Sequence, residues 1–216
     1  MGKLMTVLEA IAPIKDGDTI LVGGFGPMGY PGRVMRAILK QTELKDLFFV
    51  ANAANQNYLV AFEKMLRTRS RGMIATFTRP SAAAEKMYNE GTLEIIPQGT
   101  FSERIRAGGA GIPAFFTPVG FGTAVEKGKT KMTIDGREYL MEKAIKGDVA
   151  LIKAAKVDLS GNCFMSGCTK NFGALMPAAA KYTIVEAEEV VKVGKIDPEM
   201  VTVPGILIDA IVKVGV

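Results

Sequence analysis

The sequence predicts an α/β protein: an open, mainly parallel sheet covered by helices on both faces, with an inserted β-hairpin lid. Three observations carry that expectation. Short apolar runs alternate with amphipathic segments, the order of repeated βα units whose strands are buried on both faces. Glycines crowd the stretch that follows the first apolar run, Gly23 to Gly32, as in a strand-to-helix turn. Asp135-Gly136 lies between two alternating segments, the signal of a two-residue hairpin. At 216 residues the chain is near the upper end of one compact domain, so the expected organisation is a single unit over 1–216 with a hairpin and loop insertion at about 112–145.

The elements follow in order. Leu4, Val7, Leu8 and Ile11 recur at helical spacing, Lys15 to Asp18 is a turn, and Thr19 to Val22 is a strand. Arg33 to Lys40 reads as a helix and Leu47 to Val50 as a buried strand ending at Ala51-Asn52. Tyr58 to Leu66 is amphipathic, Met73 to Phe77 strand-like, Ala82 to Asn89 helical and Leu93 to Ile96 strand-like. Asn89-Glu90-Gly91 reads as a helix C-terminus closed by its glycine. Thr100 and Glu103 have the spacing of a capping box. Pro113 to Gly122 is rich in glycine, proline and aromatics, and the hairpin comes next. Asp148 to Lys153 reads as a central strand, Ala174 to Ala180 as a helix, and Tyr182 to Val191 as a strand whose acidic end, Glu186, Glu188 and Glu189, is solvated.

Composition removes several classes of function. Hydrophobic residues make up 48% and charged residues 23%, a globular balance that disfavours disorder. With no histidine, the chain cannot supply a Ser-His-Asp unit, a histidine metal site or an imidazole proton transfer. Its chemistry must use carboxylates, lysines, hydroxyls, amides or residues of a partner. Cys163 and Cys168 are too few for a disulfide framework and are expected as reduced thiols. Neither a leader in Met1 to Leu8 nor an apolar run of roughly 18 residues is present, so the expected compartment is the cytoplasm, with no membrane span. A net charge of +5 does not require nucleic acid but favours a polyanionic small molecule. Lys127, Lys129 and Lys131 form the local basic run, either a solvated hairpin flank or a phosphate contact.

Asp16 to Pro31 is the densest signal. A strand emptying into a glycine turn and a helix places bare backbone N–H groups at the carboxyl edge of the sheet, where anions bind in open α/β folds. Tight strand-to-helix packing accounts for the same glycines, and the spacing is not the dinucleotide fingerprint. The longer string is more informative: Asp16-Gly17, then Ile20-Leu21-Val22, Gly23-Gly24-Phe25, Gly29 and Pro31. With it go Pro97-Gln98-Gly99-Thr100 followed by Glu103 to Phe115, Asp148 to Ala154 followed by Gly161-Asn162 and Lys170-Asn171-Phe172, and Pro204-Gly205-Ile206. In that order these resemble family I coenzyme A transferases of the A-subunit type, over essentially the whole chain.

That resemblance implies a ping-pong reaction between short-chain acids such as acetate, butyrate and acetoacetate. Coenzyme A or acyl-CoA is then the substrate, and no cofactor is permanently bound. The glutamate nucleophile is implied to come from a B subunit carrying a Ser-Glu-Asn-Gly type motif, in a two-plus-two heterotetramer; no Glu-Asn-Gly occurs in this chain. It assigns Gln98 and Asn52 as amides that position and polarise the acyl carbonyl, and Gly23, Gly24, Phe25, Gly26 and Gly29 as the loop against coenzyme A. The family often has two asparagines where this chain has Ala51-Asn52, so Asn52 alone is carried over. Lys153 is a candidate for the coenzyme A phosphates or a surface lysine; Lys170-Asn171-Phe172 is a pocket wall or an intersubunit contact; Phe115, Phe116 and Phe121 cover an acyl pocket or pack the lid. Two rival readings remain. One is a regulatory protein of the sugar-phosphate isomerase-like type holding a phosphorylated ligand in the glycine loop; the other is a self-contained hydrolase or isomerase whose base is one of the local carboxylates, Glu103 being the one to replace, with Glu186, Glu188 and Glu189 as nucleophile candidates only if the resemblance misleads.

Overall fold

The computed structural model describes residues 2–214; Met1, Gly215 and Val216 of the expected 1–216 unit lie outside the described residues. In chain order the first half runs α1 (Val7–Ile11), β1 (Thr19–Val22), α2 (Gly32–Gln41), β2 (Leu47–Ala51), α3 (Val60–Arg69), β3 (Ser70–Ala75), α4 (Ala82–Asn89), β4 (Leu93–Ile95) and α5 (Gln98–Gly109). The second half runs β5 (Ala114–Thr117), β6 (Lys131–Ile134), β7 (Arg137–Lys143), β8 (Gly147–Asp158), β9 (Cys163–Phe164), α6 (Asn171–Leu175), β10 (Ala180–Val191) and β11 (Ala210–Lys213). The main sheet has the order β11-β10-β8-β1-β2-β3-β4 and is parallel throughout that path, with β9 turning back antiparallel on β8.

Alternation along each strand sends side chains to two cores. Ile20, Val22, Phe49 and Met73 meet α1 to α4 through Ile11, Met35, Phe62 and Met87. Leu21, Val50, Ile74 and Ile152 point the other way, onto Phe101 and Ile105 of α5 and Phe172 of α6. Both faces of the sheet are therefore covered by helices, as the alternating runs foretold. The path builds outward from β1 in two directions, to β2, β3 and β4 on one side and to β8, β10 and β11 on the other. This makes the carboxyl end of β1 a topological switch point, the place where open α/β sheets leave a crevice.

Beside the main sheet lies a three-stranded antiparallel sheet in the order β5-β7-β6. Its hairpin turns at Asp135 (φ 49°) and Gly136 (φ 74°), a left-handed pair that Asp-Gly tolerates. Phe115 and Phe116 fall in β5, a strand the glycine, proline and aromatic content of that segment concealed. Arg104 of α5 ties this sheet down: Nε donates to the Lys143 carbonyl at 2.7 Å, and the Ile145 amide donates to the Arg104 carbonyl at 2.8 Å. Buried Glu142 of β7 takes Lys129 as its ion-pair partner, so this lysine is not a solvated flank. Lys131 pairs with Glu126 at 2.9 Å and stands over the Phe121 ring.

Three expectations need correction. The Thr100–Glu103 capping box does not form, because α5 begins at Gln98 directly after Pro97 and Thr100 is already inside the helix. Thr100 is buried with its hydroxyl unpartnered, and Glu103 reaches forward to Arg106 instead. The segment expected as a helix over Ala174 to Ala180 is helical only to Leu175; a 3-10 turn over Met176–Ala179, containing Pro177 with no N–H to give, leads into β10. The third concerns Glu186, which is not solvated and bears directly on the site.

Candidate active site

Register places the site. Val22 of β1 lies opposite Ala51 of β2, Val50 opposite Ile74 of β3, and Ala75 opposite Ile95 of β4. The loops that leave these strands, beginning at Gly23, Asn52, Thr76 and Ile96, therefore emerge side by side at one edge. Asn52 is 5% exposed, and its backbone carbonyl accepts the amides of Thr76 and Phe77, both at 3.1 Å. Its Oδ1 accepts from Gln98 Nε2 at 3.2 Å and lies 2.9 Å from the Thr76 hydroxyl. Three strand ends thus converge on one amide. With Oδ1 so engaged, the Asn52 Nδ2 hydrogens donate to no protein acceptor among the described residues, and Gln98 keeps one of its two hydrogens free.

Two cavities open on these amides. One, of about 420 Å³, is lined by Asn52, Thr76, Phe77, Tyr58, Phe25 and Gln98 among others. The second, of about 390 Å³, is lined by Phe25, Gln98, Ser102, Cys168, Asn171, Phe172 and Leu175. Neither carries a Lys, Arg, Asp or Glu. A neutral, partly apolar crevice with uncommitted N–H donors can hold a carbonyl and stabilise negative charge developing on its oxygen. It presents no carboxylate of its own to attack that carbonyl.

The glycine loop is held by its own backbone. Gly23 donates to the Leu151 carbonyl of β8 at 2.8 Å, and Phe25 and Met28 exchange hydrogen bonds at 2.8 and 3.2 Å. Gly24 has φ 110°, and a Cβ there would stand 3.0 Å from the Met28 carbonyl and the Tyr30 nitrogen, so only glycine fits. Gly29 packs on Thr169, joining this loop to the segment that bears Cys168 and Asn171. Of the five loop residues expected against a ligand, Phe25 and Gly26 face the 420 Å³ cavity; Gly23 and Gly29 serve packing.

The anion site expected at the following helix is already filled. Glu186, 3% exposed on β10, accepts from the amides of Arg33 and Val34 at 2.7 and 3.1 Å, at the N-terminus of α2. An internal carboxylate therefore neutralises that end of the helix dipole. Burial raises its pKa above the ordinary value, opposed by the two amides and by the charges of Lys153 and Arg36. Glu188 and Glu189 do remain at the surface, paired with Lys153 and Lys156. The rival reading that lodges a phosphate at this turn thus loses the two amides of the helix start.

Other residues singled out from sequence fall outside the crevice. Glu103 is in an exposed pair with Arg106 at 2.6 Å that holds its carboxyl below the usual range, and it lines neither cavity. Glu90 caps α4, with Gly91 at φ 72° just beyond. Phe115 and Phe116 lie in the antiparallel sheet and line neither cavity. Asn171 and Phe172 do form cavity wall, with Phe172 edge-to-face on Phe101 of α5. Sequence reasoning missed Thr76, Ser102 and Cys168; no local pattern marks a lone hydroxyl or thiol brought in by strand register. Both cysteines are free, Cys163 buried with its thiol pushed up to about 12 by burial, Cys168 exposed.

A neutral crevice with uncommitted amide donors at the switch point of a parallel sheet is the class of site the geometry defines, and sequence comparison gives the family: the chain belongs to the coenzyme A transferase family, whose model matches residues 4–214. It is a transferase chain of the A-subunit type. The A-type chain of the succinyl-CoA:3-ketoacid coenzyme A transferase of Helicobacter pylori strain J99 is 40% identical, over 99% of this chain and 93% of the relative. The alpha chain of the acetate CoA-transferase of Escherichia coli K12 is 38% identical over 97% and 96%. Among solved structures, glutaconate coenzyme A-transferase from Acidaminococcus fermentans superposes with a TM-score of 0.85 at 24% identity, covering 98% of this chain and 75% of that one, which confirms the fold. Coenzyme A transferases take coenzyme A as substrate. No helix among the described residues is long and apolar enough to cross a membrane.

Proposed function

We propose that this chain is the acyl-positioning half of a two-subunit coenzyme A transferase whose nucleophilic glutamate is carried by a B subunit. One observation carries the reading: Asn52, Gln98 and Thr76 form a hydrogen-bonded set with amide hydrogens left over, in a crevice lined by no carboxylate. The partner's glutamate carboxylate attacks the thioester carbonyl while the Asn52 and Gln98 amides receive the developing oxyanion. The carbon–sulfur bond breaks, giving an acyl-glutamyl anhydride and the coenzyme A thiolate. The thiolate then attacks the glutamyl carbonyl, leaving glutamyl-CoA and the free acid, and a second acid reverses both steps. No proton has to move, which suits a chain without histidine.

In this reading Phe25 and Gly26 face the thioester, while Gly23, Gly24 and Gly29 keep the loop in shape; the antiparallel sheet within 112–145 acts as the lid of a single domain. The neutral crevice favours acids with one carboxylate, of the acetate, butyrate and acetoacetate class, over dicarboxylates. Coenzyme A comes and goes as substrate, and the assembly is a two-plus-two heterotetramer in the cytoplasm. The test is co-expression with the B subunit. Activity requires both chains, and borohydride added with acyl-CoA reduces a glutamyl thioester on the partner. A reduced glutamate mapped to this chain, or full activity of this chain alone, ends the proposal.

A further inference from the structure

Phe25 and Gln98 are the two residues that line both cavities. Gln98 belongs to the carbonyl site, so Phe25 is what stands between the two spaces. Phe25 is 44% exposed, although an aromatic residue gains by burial, and the loop holds it there. Gly24 and Gly26, with φ 110° and 59°, flank it, and its backbone is locked to Met28 by the reciprocal hydrogen bonds. Gly29 against Thr169 fixes the same loop to the wall of the second cavity. The ring is thus a fixed partition with a rigid post.

The two spaces differ chemically. The Asn52 side carries an amide, the Thr76 hydroxyl and the Tyr58 phenol; it lies next to a cleft of about 820 Å³ that begins at Gln56 and Thr78 and includes Arg79. The α6 side also carries Ser102, Cys168 and Asn171, but its exposed lining is mostly apolar, with Phe172 and Leu175 among it. A thioester whose carbonyl sits at Gln98 has two arms to place, a hydrocarbon acyl tail and a longer polar thiol arm. The hydrocarbon suits the α6 side; the polar arm suits the side with hydrogen-bonding groups and an exit.

Resting on the transferase reading above, we propose that Phe25 is a specificity-determining partition: it separates the acyl tail from the thiol arm and sets the length of acid the crevice accepts. The acyl tail lies against Phe172 and Leu175 with the Phe25 ring as the wall between it and the other space. Removing the ring joins the two spaces and admits longer chains.

The experiment compares Phe25→Ala and Phe25→Leu with the parent chain, each assembled with the B subunit, by kcat/KM for acetyl-, butyryl-, hexanoyl- and octanoyl-CoA. Excluding a methylene from a shaped apolar pocket is worth roughly 10–200-fold, so the hexanoyl-to-acetyl ratio rises about tenfold or more in Phe25→Ala, with Phe25→Leu between. If Phe25→Ala does not assemble, the leucine variant alone decides. An unchanged ratio in an active complex overturns the partition and leaves the transferase reading intact. Weaker assembly with an unchanged ratio makes Phe25 an intersubunit contact and likewise overturns it. If the parent complex transfers coenzyme A to no acid, the transferase reading falls and the partition with it.

Discussion

Two places at the carboxyl edge of the sheet gather backbone or side-chain N–H donors, and they differ in whether the chain satisfies them itself. At the N-terminus of α2, the amides of Arg33 and Val34 are both taken by Glu186. At Asn52 and Gln98, the only carboxamide oxygen engaged is Oδ1 of Asn52, and the Nδ2 hydrogens of that residue are unspent among the described residues. The first place looks like an anion site from sequence and is a structural joint. The second has no local signature and is where a ligand oxygen can be held. A glycine-rich turn before a helix therefore counts as a binding site only after the carboxylates of neighbouring strands have been accounted for.

The comparison breaks most easily at Asn52. Asn52→Ala removes the uncommitted donors and the acceptor that orients Gln98, and the loss of one oxyanion donor costs roughly a hundredfold to a thousandfold in kcat. The expected result with the B subunit present is that fall in kcat with the urea midpoint of the chain little changed. An undiminished kcat would mean that the crevice at Asn52 is not where the carbonyl lies.

Glu186→Ala should do the reverse. A buried amide and a part-buried one lose their acceptor, each unsatisfied group costing about 1–3 kcal/mol, so the urea midpoint falls by the equivalent of about 2–6 kcal/mol while kcat of the assembled enzyme falls far less than for Asn52→Ala. The pH dependence sharpens this. Because burial raises the Glu186 pKa in the folded chain, its contribution is fully present below the unfolded value near 4.5 and declines as pH rises through the folded value. Asp148 runs the other way: hydrogen bonds from Lys181 and the Thr19 amide lower its pKa, so its contribution is present above the unfolded value of 3.8 and is lost as pH falls. Denaturant midpoints of Glu186→Gln and Asp148→Asn against the parent, followed across pH 3–8, should therefore diverge in opposite senses with rising pH.

What could be read beforehand follows the same division between local and non-local causes. Strands β1 and β2 showed as apolar runs because a parallel strand buried on both faces has no polar side to interrupt it. The C-terminus of α4 and the turn at Asp135-Gly136 were legible because a glycine just beyond a helix and a left-handed Asp-Gly pair act within four residues. Glu186 was misread because an acidic residue near the end of a strand looks solvated unless one knows which helix start lies across from it. Thr100 and Glu103 matched a capping pattern whose helix had already begun at Gln98. Asn52 and Gln98 were singled out through resemblance of whole motifs, whereas Thr76, which bonds to Asn52, comes from register between β2 and β3 and leaves no trace in sequence.

The smallest effect belongs to the residue that sequence made most ambiguous. Glu103 could have been a helix cap or a catalytic base; in the structure it forms a surface pair with Arg106 across one turn of α5. Exposed pairs of this kind are worth less than about 1 kcal/mol and weaken with salt. Glu103→Gln should leave kcat of the assembled enzyme unchanged and shift the urea midpoint by no more than that, with the shift shrinking further at high ionic strength. A large loss of activity would move the chemistry from the neutral crevice onto α5 and undo the contrast between filled and unfilled donors. A large, salt-independent loss of stability would instead show Glu103 bonded to the start of the helix, with Thr100 as the cap after all.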